Sequence, residues 1–368
     1  MGKIKVWIIW LWNCASSLIQ GIWYYSNMNT SDNKIIWLIN NKIIWLINNN
    51  IWWYTIQNID IVSAIDVNIC KIWKMISQAI YEKPNCTKIF FHWDMFKNKV
   101  IAWPIIDGIS DQMKSIVDLH NIEKDMINWE KEIIWELINK KVDILISYLP
   151  VWSKEATKFY VNCALKAKVA FANAVPEFIC STKEWSDKFE EAWIPCAWDD
   201  IKSQFWATIL HRNIVDLINK RWQIIDNTYQ LNIWWNTDFQ NMKEEERLVS
   251  KRISKTEAVT WLIDEYDFPV RIWPSDFIPH LNDNKVCYIN IKWRQFWNIP
   301  FEVDVKLSVE DSPNSAGVMV DVIRLLKLAK DRWLSWYQEF STYYFKHPSK
   351  QISDSDAYNI VQNFINTY

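Results

Sequence analysis

Apolar positions in the first 215 residues fall into short continuous runs, each followed by apolar residues at helical spacing. Continuous runs occupy Lys5–Leu11, Ile59–Ile65, Val142–Tyr148 and Val169–Asn173. Such runs are expected of strands buried on both faces of a parallel sheet. Helical spacing follows at Ala15–Tyr24, Ile69–Ile80, Lys154–Ala167 and Lys183–Ala192. Strands alternating with helices in this way predict a doubly wound α/β sheet of the Rossmann type.

The texture changes after about residue 220. In Thr228–Ile233, Val286–Ile291 and Glu302–Glu310 polar and apolar residues alternate, which predicts a sheet with one wet or interfacial face, and Met242–Leu262 reads as a helix among them. Helical spacing returns at Ala316–Lys330 and Asp354–Asn366. The expected organisation is a Rossmann-type domain over residues 1–220, completed by 316–368, with an α+β domain inserted at 221–315. A direct repeat interrupts the first part: Lys34–Asn41 recurs at once as Lys42–Asn49. Two copies are too few for a solenoid, so the repeat reads as a slippage insertion in a tolerant surface loop, with an added edge hairpin as the alternative.

Composition adds an anomaly. The chain has 27 Trp and only 4 Gly in 368 residues, where an average usage near 7% would give roughly 25 glycines. The excess tryptophans fall where glycine belongs, in turns and loops at Trp7, Trp10, Trp12, Trp52, Trp53, Trp103, Trp198, Trp206, Trp234, Trp235, Trp273 and Trp293. A UGA codon read as glycine by the source and as tryptophan in translation of the gene would produce this pattern. The abundant Ile, Asn and Lys fit an A/T-rich coding sequence.

Charge and cysteine usage narrow the class. Net charge is −2, from 41 basic and 43 acidic residues, and no basic stripe or tail points to nucleic acid. Seven cysteines without a C-x-x-C pair and five histidines without metal spacing imply reduced thiols in the cytoplasm and no metal site. No run of about 18 apolar residues implies a membrane span.

The chemistry begins at the first strand. With glycine at 7, 10 and 12, the loop before Asn13 and Cys14 is a G-x-x-G-x-G-N nucleotide loop, and Asp66 ends the next strand, where an acid accepts hydrogen bonds from an adenosine ribose. Together they make NAD the expected cofactor. A second group is basic and acidic without histidine: Asp200, Lys202, Ser203, Asp238, Lys251, Lys255, Lys285, Asp311 and Lys346. Lys251 and Lys255 share one helix face at i and i+4, and a solvated surface is the alternative reading of that pair.

The runs Asn13–Gly21, Ser147–Thr157, 198–204, Tyr229–Phe239, Ser250–Thr256 and Glu310–Gly317 resemble the bacterial and archaeal branch of the myo-inositol-1-phosphate synthases, from about residue 4 to the C-terminus. At most of the tryptophan positions above the family pattern has glycine, whereas Trp185 matches a family tryptophan. Trp23 stands where the family has Glu, and Lys168 where it has Gly. The resemblance implies an isomerase that turns D-glucose 6-phosphate into 1D-myo-inositol 3-phosphate. The sugar is oxidised at C5 by bound NAD⁺, loses a proton from C6, closes by attack of the enolate on the C1 aldehyde, and is reduced again. It further implies that Lys251, Lys255, Lys285 and Lys346 line the catalytic site with Asp238 and Asp311, and that Asp200, Lys202 and Ser203 lie between cofactor and substrate. Trp10, Trp12, Asn13, Cys14, Asp66, Asp107, Gly108, Ser147, Pro150 and Tyr160 would surround the cofactor, and the inserted domain would carry catalysis and homotetramer formation. The alternatives are a simple NAD-dependent dehydrogenase on the same fold or, with the tryptophans taken literally, an inactive binding module.

Overall fold

The computed structural model describes residues 2–26, 38–39, 42–43, 45–92, 97–179, 181–197, 199–234, 249–261 and 268–367. Seven strands form one parallel sheet: β1 (Ile4–Ile9), β2 (Ile59–Asp66), β3 (Val100–Ala102), β4 (Ile144–Ser147), β5 (Ala170–Asn173), β6 (Pro195–Ala197) and, further along the chain, Trp336–Tyr337. Their spatial order is β3-β2-β1-β4-β5-β6 with Trp336–Tyr337 outermost. This is the doubly wound Rossmann order, and it places a topological switch between β1 and β4, where the carboxyl ends of the strands open a crevice.

A second, four-stranded sheet follows. Its strands β7 (Ile224–Trp234), β8 (Val270–Phe277), β9 (Asn284–Gln295) and β10 (Ile299–Glu310) lie in the order β8-β7-β9-β10. β8 is parallel to β7, and β9 is antiparallel to both β7 and β10. The observed strands outrun the alternating segments of the sequence by up to four residues at an end. Val270–Phe277 carries no expectation, because Pro274 sits inside it at a register shift.

Eight helices of ten residues or more are described: α1 (Asn13–Ser26), α2 (Met126–Asn139), α3 (Lys154–Ala167), α4 (Lys183–Ala192), α5 (Ala207–Lys220), α6 (Val249–Thr260), α7 (Asp311–Asp331) and α8 (Asp354–Asn366). α7 is the spine of the molecule. It follows β10 directly and runs for 21 residues with 14 of them buried, against α1 and the first sheet. α8 closes on the same core through Val361 and Ile365. A smaller apolar cluster joins α5 and α6 to the second sheet through Val215, Ile218, Val259, Ile272, Cys287 and Ile289.

Two expectations are corrected. The helix over Ile69–Ile80 is reduced to one turn, Ile76–Ala79. Asn68 draws the chain into a turn by accepting the Cys70 N–H at 3.0 Å, and residue 73 is left-handed at φ 68°. The repeat is not wholly a tolerant loop. Leu38–Ile39 and Lys42–Ile43 form a short antiparallel hairpin at its junction, while the end of the second copy is docked: Asn48 is buried, donates to Asp321 Oδ2 at 2.7 Å, and its carbonyl accepts from Arg324 at 2.6 Å. Residues 34–37, 40, 41 and 44 of the repeat lie outside the described residues, as do Trp198, Trp235, Asp238 and residues 242–248 and 262 of the expected helix.

Candidate active site

The crevice at the carboxyl ends of β1, β4 and β5 opens toward the second sheet as a cleft of about 980 Å³, counting its mouth. It is lined by Trp10, Trp12, Asn13 and Cys14 from the first loop, by Leu149, Pro150, Asp200 and Ser203 beside it, and by Lys255, Lys285, Asp311 and Lys346 from the far side. The two ends of the chain therefore meet at one place.

The first loop leaves β1 tightly bound. The Trp10 N–H donates to Ile65 O at 3.0 Å, the Leu11 N–H donates to Asp66 Oδ2 at 3.1 Å, and α1 begins at once with Ser16 N–H on Trp12 O. Asn13 Oδ1 accepts from the backbone of Cys86 and Thr87 at 2.7 and 3.1 Å, tying the helix start to a neighbouring loop. Helix N-terminal amides facing a crevice suit an anion. The indoles of Trp10 and Trp12, with ring centroids 5.0 Å apart, line the cleft beside them.

Lys71 and Asn85, which the sequence does not single out, support the first loop through Leu11 O. The Lys71 ammonium is fully buried, donates to Leu11 O at 2.7 Å and Asn85 Oδ1 at 2.8 Å, and lies 3.9 Å from Asp66. Burial outweighs Asp66 and brings its pKa down to about 8. A lysine in a turn has no sequence signature of such a role, and only the fold brings it under the loop.

Two of the three lysines on the far side are held by carboxylates. Lys285 Nζ pairs with Asp311 Oδ2 at 3.0 Å, and Lys346 Nζ donates to Asp200 Oδ1 at 2.8 Å. Asp200, itself buried and left-handed at φ 61°, also accepts from Ser254 Oγ at 2.5 Å. Lys255 is 2% exposed on α6 and faces the same cleft. Lys251 lies on the same helix, its side chain outside the described residues. Asp283, absent from the expected set, caps this side: it accepts the Ser312 hydroxyl at 2.8 Å and backbone N–H at 3.1 Å, and burial next to Asp311 pushes its pKa up to about 7.

Other expected residues fall elsewhere. Lys202 is turned out of the cleft, donating to Thr342 O at 3.0 Å and facing Asp354, because its buried ammonium finds its partners on the C-terminal segment. Ser147 is buried at the end of β4 and does not line the cleft. Asp107 accepts the Glu155 and Ala156 N–H groups at 2.7 and 3.0 Å, so it caps α3. It shares a narrow side pocket with Asp66, Trp103 and Tyr160 that continues from Trp10. Gly108, next to it, is left-handed at φ 82°, and a Cβ there would sit 1.9 Å from Ser153 Oγ, so only glycine fits.

The sequence comparisons with known proteins point to one family. The family model described as myo-inositol-1-phosphate synthase matches residues 207–312. The chain is 39% identical to the inositol-3-phosphate synthase of Mycolicibacterium smegmatis, over 99% of this chain and 98% of that protein. It is 37% identical to the inositol-3-phosphate synthase of Corynebacterium glutamicum, over 99% and 98%. Among solved structures, the fold is shared with a myo-inositol-1-phosphate synthase-related protein from Thermotoga maritima, with a TM-score of 0.79 at 20% identity, covering 99% of this chain and 98% of that one.

Proposed function

The chain belongs to the myo-inositol-1-phosphate synthase family, and on that premise we propose that it isomerises D-glucose 6-phosphate to 1D-myo-inositol 3-phosphate with NAD as a recycled cofactor. The observation that carries this reading is the convergence of Lys255, Lys285 and Lys346, with Asp200 and Asp311, on the crevice in front of α1. A plain dehydrogenase has no need of three ammonium groups at one sugar.

The surroundings of the crevice fit a dinucleotide in their strand order, in the helix N-terminus and in the side pocket holding Asp66, Asp107 and Tyr160. Trp10 and Trp12 do not fit, since both line the cleft beside the start of α1, where a dinucleotide loop has glycines so that backbone can approach the pyrophosphate. Bound to a loop with glycine at 10 and 12, NAD would accept and return one hydride.

The chain's own residues account for the rest. Loss of a proton next to a ketone and attack of the enolate on an aldehyde place negative charge on oxygen twice, beside a phosphate that is already anionic. Fixed ammonium groups in a site shielded from water stabilise such charge more than water does. Lys255 or Lys251, entering as the neutral amine, would take the C5 hydroxyl proton and, as the ammonium so formed, steady the enolate, and Lys285 would meet the C1 oxygen. Asp311 and Asp200 hold Lys285 and Lys346 in position. Residues 1–220 with 316–368 would form the cofactor domain, and 221–315 the catalytic domain through which four copies associate. The cytoplasm is the proposed location, in keeping with six described cysteines that form no disulfide with one another. Among the described residues no helix is long and apolar enough to cross a membrane.

Protein purified from its source, given glucose 6-phosphate and NAD⁺, is expected to accumulate inositol phosphate while NADH stays at the level of the enzyme. Release of NADH in step with sugar oxidation would replace this reading with the dehydrogenase.

A further inference from the structure

Among the described residues fourteen other than glycine have a left-handed backbone, and nine of them are tryptophan: 10, 52, 73, 152, 193, 222, 297, 333 and 336. Where a residue other than glycine takes this conformation it is usually Asn or Asp, because a Cβ crowds the following carbonyl. Tryptophan has no short polar side chain to offset that crowding with a local hydrogen bond.

Three of the nine end helices in a defined motif. The Trp193 N–H bonds Glu190 O while Ile194 N–H bonds Phe189 O; Trp222 and Gln223 repeat the pair on Asn219 and Ile218, and Trp333 and Leu334 on Lys330 and Ala329. These 5→2 and 6→1 bonds define the Schellman cap, whose left-handed C′ residue is most often glycine. The indoles there are 72%, 95% and 85% exposed, so nothing in the packing requires them.

Side chains give two independent observations. The indole N–H groups of Trp7, Trp12, Trp103 and Trp206 are buried with no hydrogen-bond partner among the described residues, whereas a buried indole ordinarily finds one. The ring centroids of Trp52 and Trp53 lie 3.0 Å apart, nearer than the roughly 4.5 Å minimum of packed aromatic pairs. Trp185 behaves otherwise: it is helical, buried, and carries Lys188 over its ring at 3.9 Å.

We infer that residues 10, 52, 73, 152, 193, 222, 297, 333 and 336 are glycine in the protein the source organism makes, together with 7, 12, 103 and 206, and that 185 is tryptophan. Seven of the nine left-handed positions, 73, 152, 193, 222, 297, 333 and 336, are absent from the set read from the sequence and are assigned by backbone geometry. With glycine at 10 and 12 two indoles are removed from the lining of the cleft beside the start of α1.

Peptide mass spectrometry of the protein isolated from its source tests each position. The expected result is glycine at residues 10, 12, 193, 222 and 333 and tryptophan at 185 in the same digest; tryptophan masses at the left-handed positions would overturn the inference. The assignment does not depend on the enzyme reading, since glycine with no inositol phosphate formed would sink only the latter. A second measurement uses recombinant chain: W193G/W222G/W333G, all at the surface, should raise Tm by several degrees over the chain as written, and an unchanged or lower Tm counts against it.

Discussion

Asp283 is a carboxyl group that the fold prefers to keep protonated. It is 1% exposed, and burial, followed by the neighbouring Asp311, raises its pKa to about 7 from the usual value near 4. Between those two values the folded chain binds a proton that the unfolded chain has released, so this group's contribution to stability is full below about pH 4 and is lost as pH rises to about 7. His211 works in the opposite sense. Buried between Gln230 and Thr228, it has its pKa lowered to about 4, so its contribution grows as pH rises from about 4 toward 6.5. Asp283→Asn should therefore remove a downward slope in stability across about pH 4–7, read from denaturant midpoints at several pH values; a slope unchanged from the parent would refute the assignment. Asn13 and Asp311 are picked out in the sequence because each stands in a run that resembles a family pattern, whereas Lys285 and Lys346 lie outside those runs and enter the site only as what the resemblance implies. Asp283 and Lys71 are not picked out, since what distinguishes them is burial beside partners 29 and 60 residues away, Ser312 and Leu11, which only the fold brings near.

At the scale of elements, long periodic segments are legible and short or interrupted ones are not. α3, α4 and α8 fall where the spacing places them, because each has an uninterrupted apolar stripe. β3 and β6 have three residues each, too few to show a period, and the helix over 69–80 fails on a left-handed residue that the sequence writes as Trp73. The repeat offers a test of how element and loop differ. Deleting Lys34–Asn41 leaves one intact copy to take the docked place, and shortening a loop changes closure entropy by less than about 1 kcal/mol. That deletion should leave the denaturant midpoint nearly unchanged. Asn48→Ala, in contrast, removes hydrogen bonds to Asp321 at 2.7 Å and from Gln362 at 2.9 Å, and should cost about 1.5–3 kcal/mol, the range for a bond to a charged group. Equal losses in the two variants would show that the repeat itself, rather than its docked end, supports the fold.

At the scale of the molecule, the two sheets are legible from the change of apolar pattern near residue 220, whereas the meeting of residues 10–14 with 346 at one cleft needs the fold. The same change of pattern bears on assembly. Along β10 the apolar residues Ile299, Phe301, Val303, Val305, Leu307 and Val309 recur at every second position on one face. Val303, Val305, Leu307 and Val309 are half-buried against the small core, but Ile299 and Phe301 remain 47% and 44% exposed. An apolar strip that continues past its own core is suited to a second copy of the same sheet, since burying it there removes further apolar surface from water. Light scattering after size exclusion should accordingly give more than one chain per particle, and four on the assembly proposed above. Ile299→Lys with Phe301→Glu changes only exposed side chains, so the variant should stay folded by circular dichroism, yet run as a smaller species with a lower Tm. A variant that remains tetrameric would place the contact elsewhere, and a parent that runs as a single chain would leave the strip without the partner proposed for it.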